Sequence, residues 1–266
     1  MLANLRQLFR YRALIQSLVA RDLKARYRGS VLGFLWSFVN PLLLLLIYTF
    51  VFTRILPGFR GTQYEPYALF MFCGILPWTW FSSTLLESSN VLISGGNLIR
   101  KVLFPAEVLP IVSVFAGMMH FFLGLPILAA FFVYYRDQHN VYPPDLVWLP
   151  VIVAVQLALT LGLALLVSAL TVHFRDVRDL LANLLTLWFF ATPIIYPLSE
   201  VPADIRPYLQ LNPFTPLAVA YQEVLFVEGP FTGSSRLLVL GAVSLVVFAL
   251  GYFVFDRLRE TLAEEV

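Results

Sequence analysis

Six stretches of this chain are apolar for long enough to cross a lipid bilayer, and that feature restricts its fold more than any other. They are Val31–Leu56, Pro66–Leu86, Ala106–Tyr135, Leu146–Val172, Leu180–Leu198 and Leu237–Phe255. A spanning helix needs about 20 apolar residues, and inside hydrocarbon the backbone must satisfy its own hydrogen bonds, which leaves helices as the solution for separate spans. The fold expected is all-α: a polytopic membrane protein of six transmembrane helices. Composition agrees, with 59% hydrophobic and 13% charged residues among 266, against about 45–50% and about 25% in an ordinary soluble domain. The third and fourth stretches are long enough to tilt or protrude. The fifth is interrupted by Pro193 and Pro197, so a kinked or re-entrant helix also fits it.

Charge then orients the spans. With the N-terminus inside, Arg54, Arg60, Arg136, Arg206 and Arg236 face outward, and the other 13 of the 18 Lys and Arg face the cytoplasm. The positive-inside rule therefore predicts an inner-membrane protein with both termini cytoplasmic. Residues 1–30 precede the single transmembrane domain, 31–266, as an N-terminal amphipathic interface helix. Leu8, Tyr11, Ile15 and Leu18 recur at helical steps, away from Arg6, Arg10 and Gln16, the pattern of a helix lying among lipid headgroups. Arg21, Lys24, Arg26 and Arg28 form a basic cluster at the membrane interface, and Asp22 and Arg26 stand four residues apart, which supports helix there. The first span is too long for a signal-peptide core. The loop 199–236 carries five prolines, so two short, re-entrant helices are expected rather than one long one. The one cysteine, Cys73, lies in an apolar run and reads as a packing residue.

The chemistry missing from the chain narrows the function. No phosphate-binding loop is present, since Gly95-Gly96 is followed by Asn97 without the required lysine, and no zinc, redox or nucleophile-elbow motif occurs. The chain is therefore expected to be no enzyme, to bind no metal or cofactor, and to hydrolyse no ATP alone. The middles of the six stretches lack Asp, Glu, Lys and Arg. Such residues usually mark ion paths and proton relays, so ion-driven pumping is disfavoured. His120 reads as a satisfied bundle histidine. What the spans do hold is aromatic and mildly polar. Trp36 and Asn40 share one helical face; Phe189, Thr192 and Tyr196 share another, with Trp188 adjacent. These six residues are candidates to line the path of a transported substrate. Helix packing is the alternative role for the rings.

Arg21-Asp-Leu-Lys-Ala-Arg-Tyr-Arg-Gly-Ser-Val-Leu-Gly-Phe-Leu-Trp-Ser-Phe-Val-Asn-Pro41, Arg100-Lys-Val-Leu-Phe-Pro105, Phe174-Arg-Asp-Val-Arg-Asp179, Thr192-Pro-Ile-Ile-Tyr196 and Leu211-Asn-Pro-Phe-Thr-Pro216 follow one another over nearly the whole chain. In this order they resemble the type-2 ABC exporter permeases that move polysaccharides, the membrane subunits of O-antigen, capsule and teichoic-acid export. The resemblance implies a half-transporter: a homodimer of this chain forms the pore, and two copies of a separate ABC ATPase, which binds ATP with Mg, drive it. It implies a lipid-linked polysaccharide as substrate and surrounding membrane lipid, with no nucleic acid among the partners. It also implies that residues 94–104 dock on the ATPase, with Asn97, Leu98, Ile99, Arg100 and Lys101 as the coupling element. Two other readings stay open from the residues themselves: a type-2 permease for a drug or small lipid, and a membrane-embedded enzyme of glycan processing.

Overall fold

The structure, a computed structural model, describes residues 11–26, 28–55, 64–96, 104–135, 143–174, 176–227 and 229–265. Every regular element among them is helical. Helix α1 spans Arg12–Arg26; α2, Trp36–Phe50, enters through a 3-10 turn, Gly33–Leu35, and leaves through a π turn, Val51–Ile55. Then come α3, Tyr67–Ser94; α4, Val108–Tyr134; α5, Leu149–His173; α6, Val177–Phe190; α7, Arg206–Leu211; α8, Thr215–Leu225; and α9, Ser234–Glu265.

Among the described residues, five segments are long and apolar enough to cross a membrane: Gly33–Ile55, Tyr67–Ser94, Val108–Tyr134, Asp145–His173 and Ser234–Arg259. They correspond to five of the six expected stretches. The remaining one, the proline-interrupted fifth, is only the 14-residue α6. At about 1.5 Å per residue that helix rises about 21 Å, short of the ~30 Å hydrocarbon core.

Helix α3 is the axis of the bundle: α2, α4, α5, α6 and α8 all pack on it, and most of its residues are buried. Its neighbour α4 runs antiparallel. Gly117 meets Trp80 and Thr84, while Gly124, further along α4, meets Leu76, earlier on α3. Glycines permit this approach, since a Cβ on Gly117 would lie 2.9 Å from Trp80 Cδ1. Without a hydrophobic driving force between helices in lipid, such small-residue contacts are what lets helices pack closely. Polar groups tie the same layer. Trp80 Nε1 donates to Val114 O at 3.2 Å, and Gln156 of α5 donates through Nε2 to Pro77 O at 2.9 Å. His120 sits with Nδ1 2.9 Å from Ala116 O, within its own helix. Cys73 is fully buried in the main core.

Helices α5 and α9 run parallel, because Val155 faces Gly241, Gly162 faces Phe248 and Gly251, and Leu165 and Ala169 cluster with Tyr252 and Phe255. The chain leaves α5 at one end of the bundle and begins α9 at the other. Residues 174–233 therefore travel the height of the bundle, using α6 and the irregular segment after it. Helix α1 packs at the end where α4 begins, with Leu18 against Val108 and Val112 and with Tyr11, Leu14, Ile15 and Val19 around it. Tyr11, Ile15 and Leu18, expected to lie among headgroups, are turned towards the bundle, with Leu18 buried against Val108 and Val112. Arg6, Leu8 and Arg10 lie outside the described residues.

Candidate functional site

The break after α6 is built from side chains that reach it from distant helices. Residues 191–197 are not helical, because Pro193 and Pro197 supply no backbone N–H and clash with the preceding turn. Their carbonyls would be orphans, and at membrane depth each orphan costs several kcal/mol. Four are covered. Asn212 Nδ2 donates to Ala191 O at 3.1 Å; Gln222 Nε2 donates to Pro193 O at 3.0 Å and Ile194 O at 3.4 Å; Tyr67 Oη donates to Ile195 O at 2.5 Å. Asn212 is the hub. It also donates to Thr192 Oγ1 at 2.9 Å and accepts from Trp188 Nε1 at 2.6 Å and Phe214 N at 2.9 Å. Sequence patterning singled out Trp188 and Thr192 but missed Asn212, Gln222 and Tyr67 as partners. The Leu211–Pro216 run is the one signal that carried Asn212.

The candidate path residues separate into two groups. Trp188 meets Trp78 and Phe81, with centroids 6.2 and 5.3 Å apart, and Phe189 meets Trp78 at 5.8 Å. Thr192 is 0% exposed and donates to Trp188 O. Trp188 and Phe189 therefore lie on the inner face of α6, and Thr192 is buried just past its end. Tyr196 is half-buried and donates to Phe190 O at 2.9 Å. Trp36, half-buried, donates to Ser30 Oγ at 2.9 Å, and Asn40 is exposed. Helix α2 packs on α3 and α4, whereas α6 packs on α3 and α5, so the two groups stand on different flanks of α3.

Between those flanks the bundle has a different surface. Of α2 only Ser37 and Leu45 are buried, and α6 buries only Leu181 and Leu185. The outer side of α6 exposes Leu180, Leu184, Leu187 and Phe190 together with Asn183 and Thr186. Buried α3 shows one exposed line in its middle, Thr79, Ser83 and Leu86, at steps of four and three residues, hence on a single face. That line is turned away from the Trp80 and Thr84 side that meets α4 and from Trp78 and Phe81, which meet α6. A strip of amides and hydroxyls within an apolar surface thus remains without a covering helix among the described residues.

The basic cluster has one structural anchor. Arg26 Nε donates to Asp22 Oδ2 at 2.8 Å, and its Nη2 pairs with Glu87 of α3. Arg21, Lys24 and Arg28 of the same cluster are at least partly exposed. Glu87 lies one residue past the apolar stretch read from the sequence, so its partner 61 residues away was not visible there. Charge-assisted bonds of this kind contribute about 1.5–3 kcal/mol when sheltered. E87Q is expected to loosen α1 and to raise amide hydrogen exchange across Arg12–Arg26 about tenfold, which is ~1.4 kcal/mol. Unchanged exchange would show that apolar packing on Val108 and Val112 holds the helix alone. The coupling residues Asn97, Leu98, Ile99, Arg100 and Lys101 lie outside the described residues. Among the described residues no group of three or more His, Cys, Asp or Glu side chains could hold a metal ion.

Known proteins are similar in sequence to this chain over most or all of its length. It is 40% identical over 268 residues to the O-antigen export system permease protein RfbA of Myxococcus xanthus, covering 100% of both chains. It is 31% identical over 247 residues to the protein of that name from Klebsiella pneumoniae, covering 92% of this chain and 91% of the other. The polysialic acid transport protein KpsM of Escherichia coli is 23% identical over 257 residues, at 92% and 93% coverage. The family profile described as ABC-2 type transporter matches residues 13–226, from α1 through the broken helix to α8, and this chain belongs to that family.

Proposed function

We propose that this chain is the permease of an ATP-driven exporter that carries a lipid-linked polysaccharide across the inner membrane. The relatives named for O-antigen export and polysialic acid transport support the cargo class, and the helical bundle supports the membrane role. The observation that carries the mechanism is the uncovered strip of Asn40, Thr79, Ser83, Asn183 and Thr186 between α2 and α6. The hydroxyls of the strip bond back to their own helices, but the Asn40 and Asn183 amides would be costly against acyl chains, whereas a second copy closing over the strip would give them a wet path. The working unit in this reading is a homodimer, with the strip of each copy facing the other.

Weak polar points spaced along an apolar wall let a sugar chain bind and slide, the balance that conduction requires. Trp36, Asn40 and Tyr196 stand at the edges of this path, and Trp188, Phe189 and Thr192 form the wall behind it, fixing where α6 breaks. The segment 174–233 makes the sixth crossing, as α6 plus an irregular stretch. Both termini then lie in the cytoplasm, in keeping with the basic residues. A separate ATPase, holding ATP with Mg, docks on the cytoplasmic end, where Asn97–Lys101 couple its closure to α3 and α4.

Cysteine substitution tests the path, because the native Cys73 is buried and unreactive to bulky reagents. In the assembled transporter, S83C or N183C treated with a bulky thiol reagent should export less than about a tenth of the untreated level, with assembly intact. Full export after complete labelling at both sites would place the glycan elsewhere.

A further inference from the structure

The end of the bundle opposite α1 carries two adjoining cavities, of 530 Å³ and 310 Å³, that share Leu198, Gln210, Val219 and Arg236 in their walls. The larger opens between α7, α8 and the first turns of α9; the smaller reaches towards Tyr64 and Arg206. Three features make this a polar site. Arg236 is exposed, and no ion pair among the described residues uses it. Arg206 is held through Nη2 by Ser199 O at 3.0 Å and Val201 O at 2.9 Å, while its buried Nε has no partner. Thr215, 2% exposed, lines the larger cavity with its hydroxyl unpartnered.

The acidic group in the wall, Glu223, is already engaged. Its Oε2 accepts from Thr232 N and Oγ1 at 3.3 Å and from Gly233 N at 3.2 Å, turning that charge towards the start of α9. Two guanidinium groups thus border the space against one occupied carboxylate. Guanidinium groups match phosphate oxygens in geometry as well as charge. Below Arg236, one and two turns down α9, Val239 and Val243 line the larger cavity and are exposed. Charge above and an apolar wall below is the profile of an amphiphile standing upright in a leaflet.

We propose that the joined cavities bind an anionic, phosphate-bearing lipid, with its phosphate between Arg206 and Arg236 and its chain along Val239 and Val243. The inference rests on the membrane reading above and not on the nature of the glycan. Gln210, shared by both cavities, supplies further hydrogen bonds to the headgroup.

Binding is measured without ATP or glycan, so its outcome is independent of export. The full-length permease, in nanodiscs of neutral phosphatidylcholine, is titrated with polyprenyl monophosphate, phosphatidylglycerol or inorganic diphosphate and read by native mass spectrometry. At least one tailed phosphate should bind at least tenfold more tightly than inorganic diphosphate, and the tighter of the two lipids identifies the source. R206Q/R236Q should weaken it tenfold or more. R236Q alone, at an exposed side chain with no ion pair to lose, should weaken it several-fold without harm to folding. Diphosphate binding as tightly as the lipids, no saturable binding, or full binding by R236Q and the double variant would overturn the proposal.

Discussion

Replacing Gly251 by leucine is expected to leave almost no assembled protein in the membrane, while the same helix accepts alanine at Gly241. The reason is the nature of the atoms each new side chain meets. A Cβ on Gly251 would overlap the carbonyl oxygen of Gly162, and one on Gly162 would lie 2.6 Å from Phe248 N and Cα. These are backbone atoms, which no rotamer change can move aside. At Gly241 the nearest neighbour is Val155 Cγ2 at 3.4 Å, an ordinary contact. Overpacking a well-fitted core by a methylene costs about 1–3 kcal/mol even where side chains can shift. Against backbone, G251A should therefore cost about 3 kcal/mol or more, and G251L more than the bundle can absorb. The α5–α9 contact is the most extensive between any two helices here, and in lipid its stability comes from close approach rather than from escape from water. G241A should be neutral or slightly stabilising, since alanine exceeds glycine in helix propensity by about 1 kcal/mol. Membrane yield and thermal unfolding of the three variants would decide it. A G251L protein as stable as wild type would mean that α5 and α9 do not pack at these glycines.

Why hydropathy reached most of this fold, and not that contact, follows from what each depends on. Spans are local: any run of about 20 apolar residues must cross or be hidden, so five stretches matched helices within several residues at most ends. The fifth was flagged by its own prolines, again a local signal. The spacing of Tyr11, Ile15 and Leu18 marked one apolar face of α1 but not what it meets, and that face packs on Val108 and Val112. Pairings between helices are not local. Gly162 and Gly251 carry no motif that names one to the other, and Glu87 shows nothing in its surroundings that points to Arg26. The helical wheel placed Phe189, Thr192 and Tyr196 on one face of the expected fifth span, but a wheel cannot say whether that face meets a neighbour or a channel. In the structure Trp78, Phe81 and Asn212 occupy the side of Trp188 and Thr192. The polar strip on Thr79 and Ser83 escaped notice because isolated hydroxyls in a span are common, often bonded back to their own helix as these are, to Ile75 O and Thr79 O.

The second large effect is expected at Asn212, where N212L should destabilise the protein by about 2–5 kcal/mol and disorder the break after α6. The Asn212 side chain takes part in four hydrogen bonds, with Ala191 O, Thr192 Oγ1, Trp188 Nε1 and Phe214 N. Within membranes an interhelical hydrogen bond averages only about 0.6 kcal/mol, because the separated helices find other partners. That discount is smaller for the Trp188 indole and for Phe214 N, both donors to Asn212 Oδ1, which the ring cluster and the start of α8 hold in place. An unmet buried group costs about 1–3 kcal/mol, so two of them set the size of the effect. N212D separates the roles. It keeps the acceptor for Trp188 and Phe214 but loses the donor to Ala191 and Thr192, and should fall between wild type and leucine. T192V removes one partner of Asn212 and the bond to Trp188 O, and should cost about 1 kcal/mol. Thermal unfolding gives the order wild type, T192V, N212D, N212L, and quenching of Trp188 fluorescence by an aqueous quencher should rise in the same order. If N212L unfolds at the wild-type temperature with Trp188 still shielded, the break is held by Gln222 and Tyr67 alone.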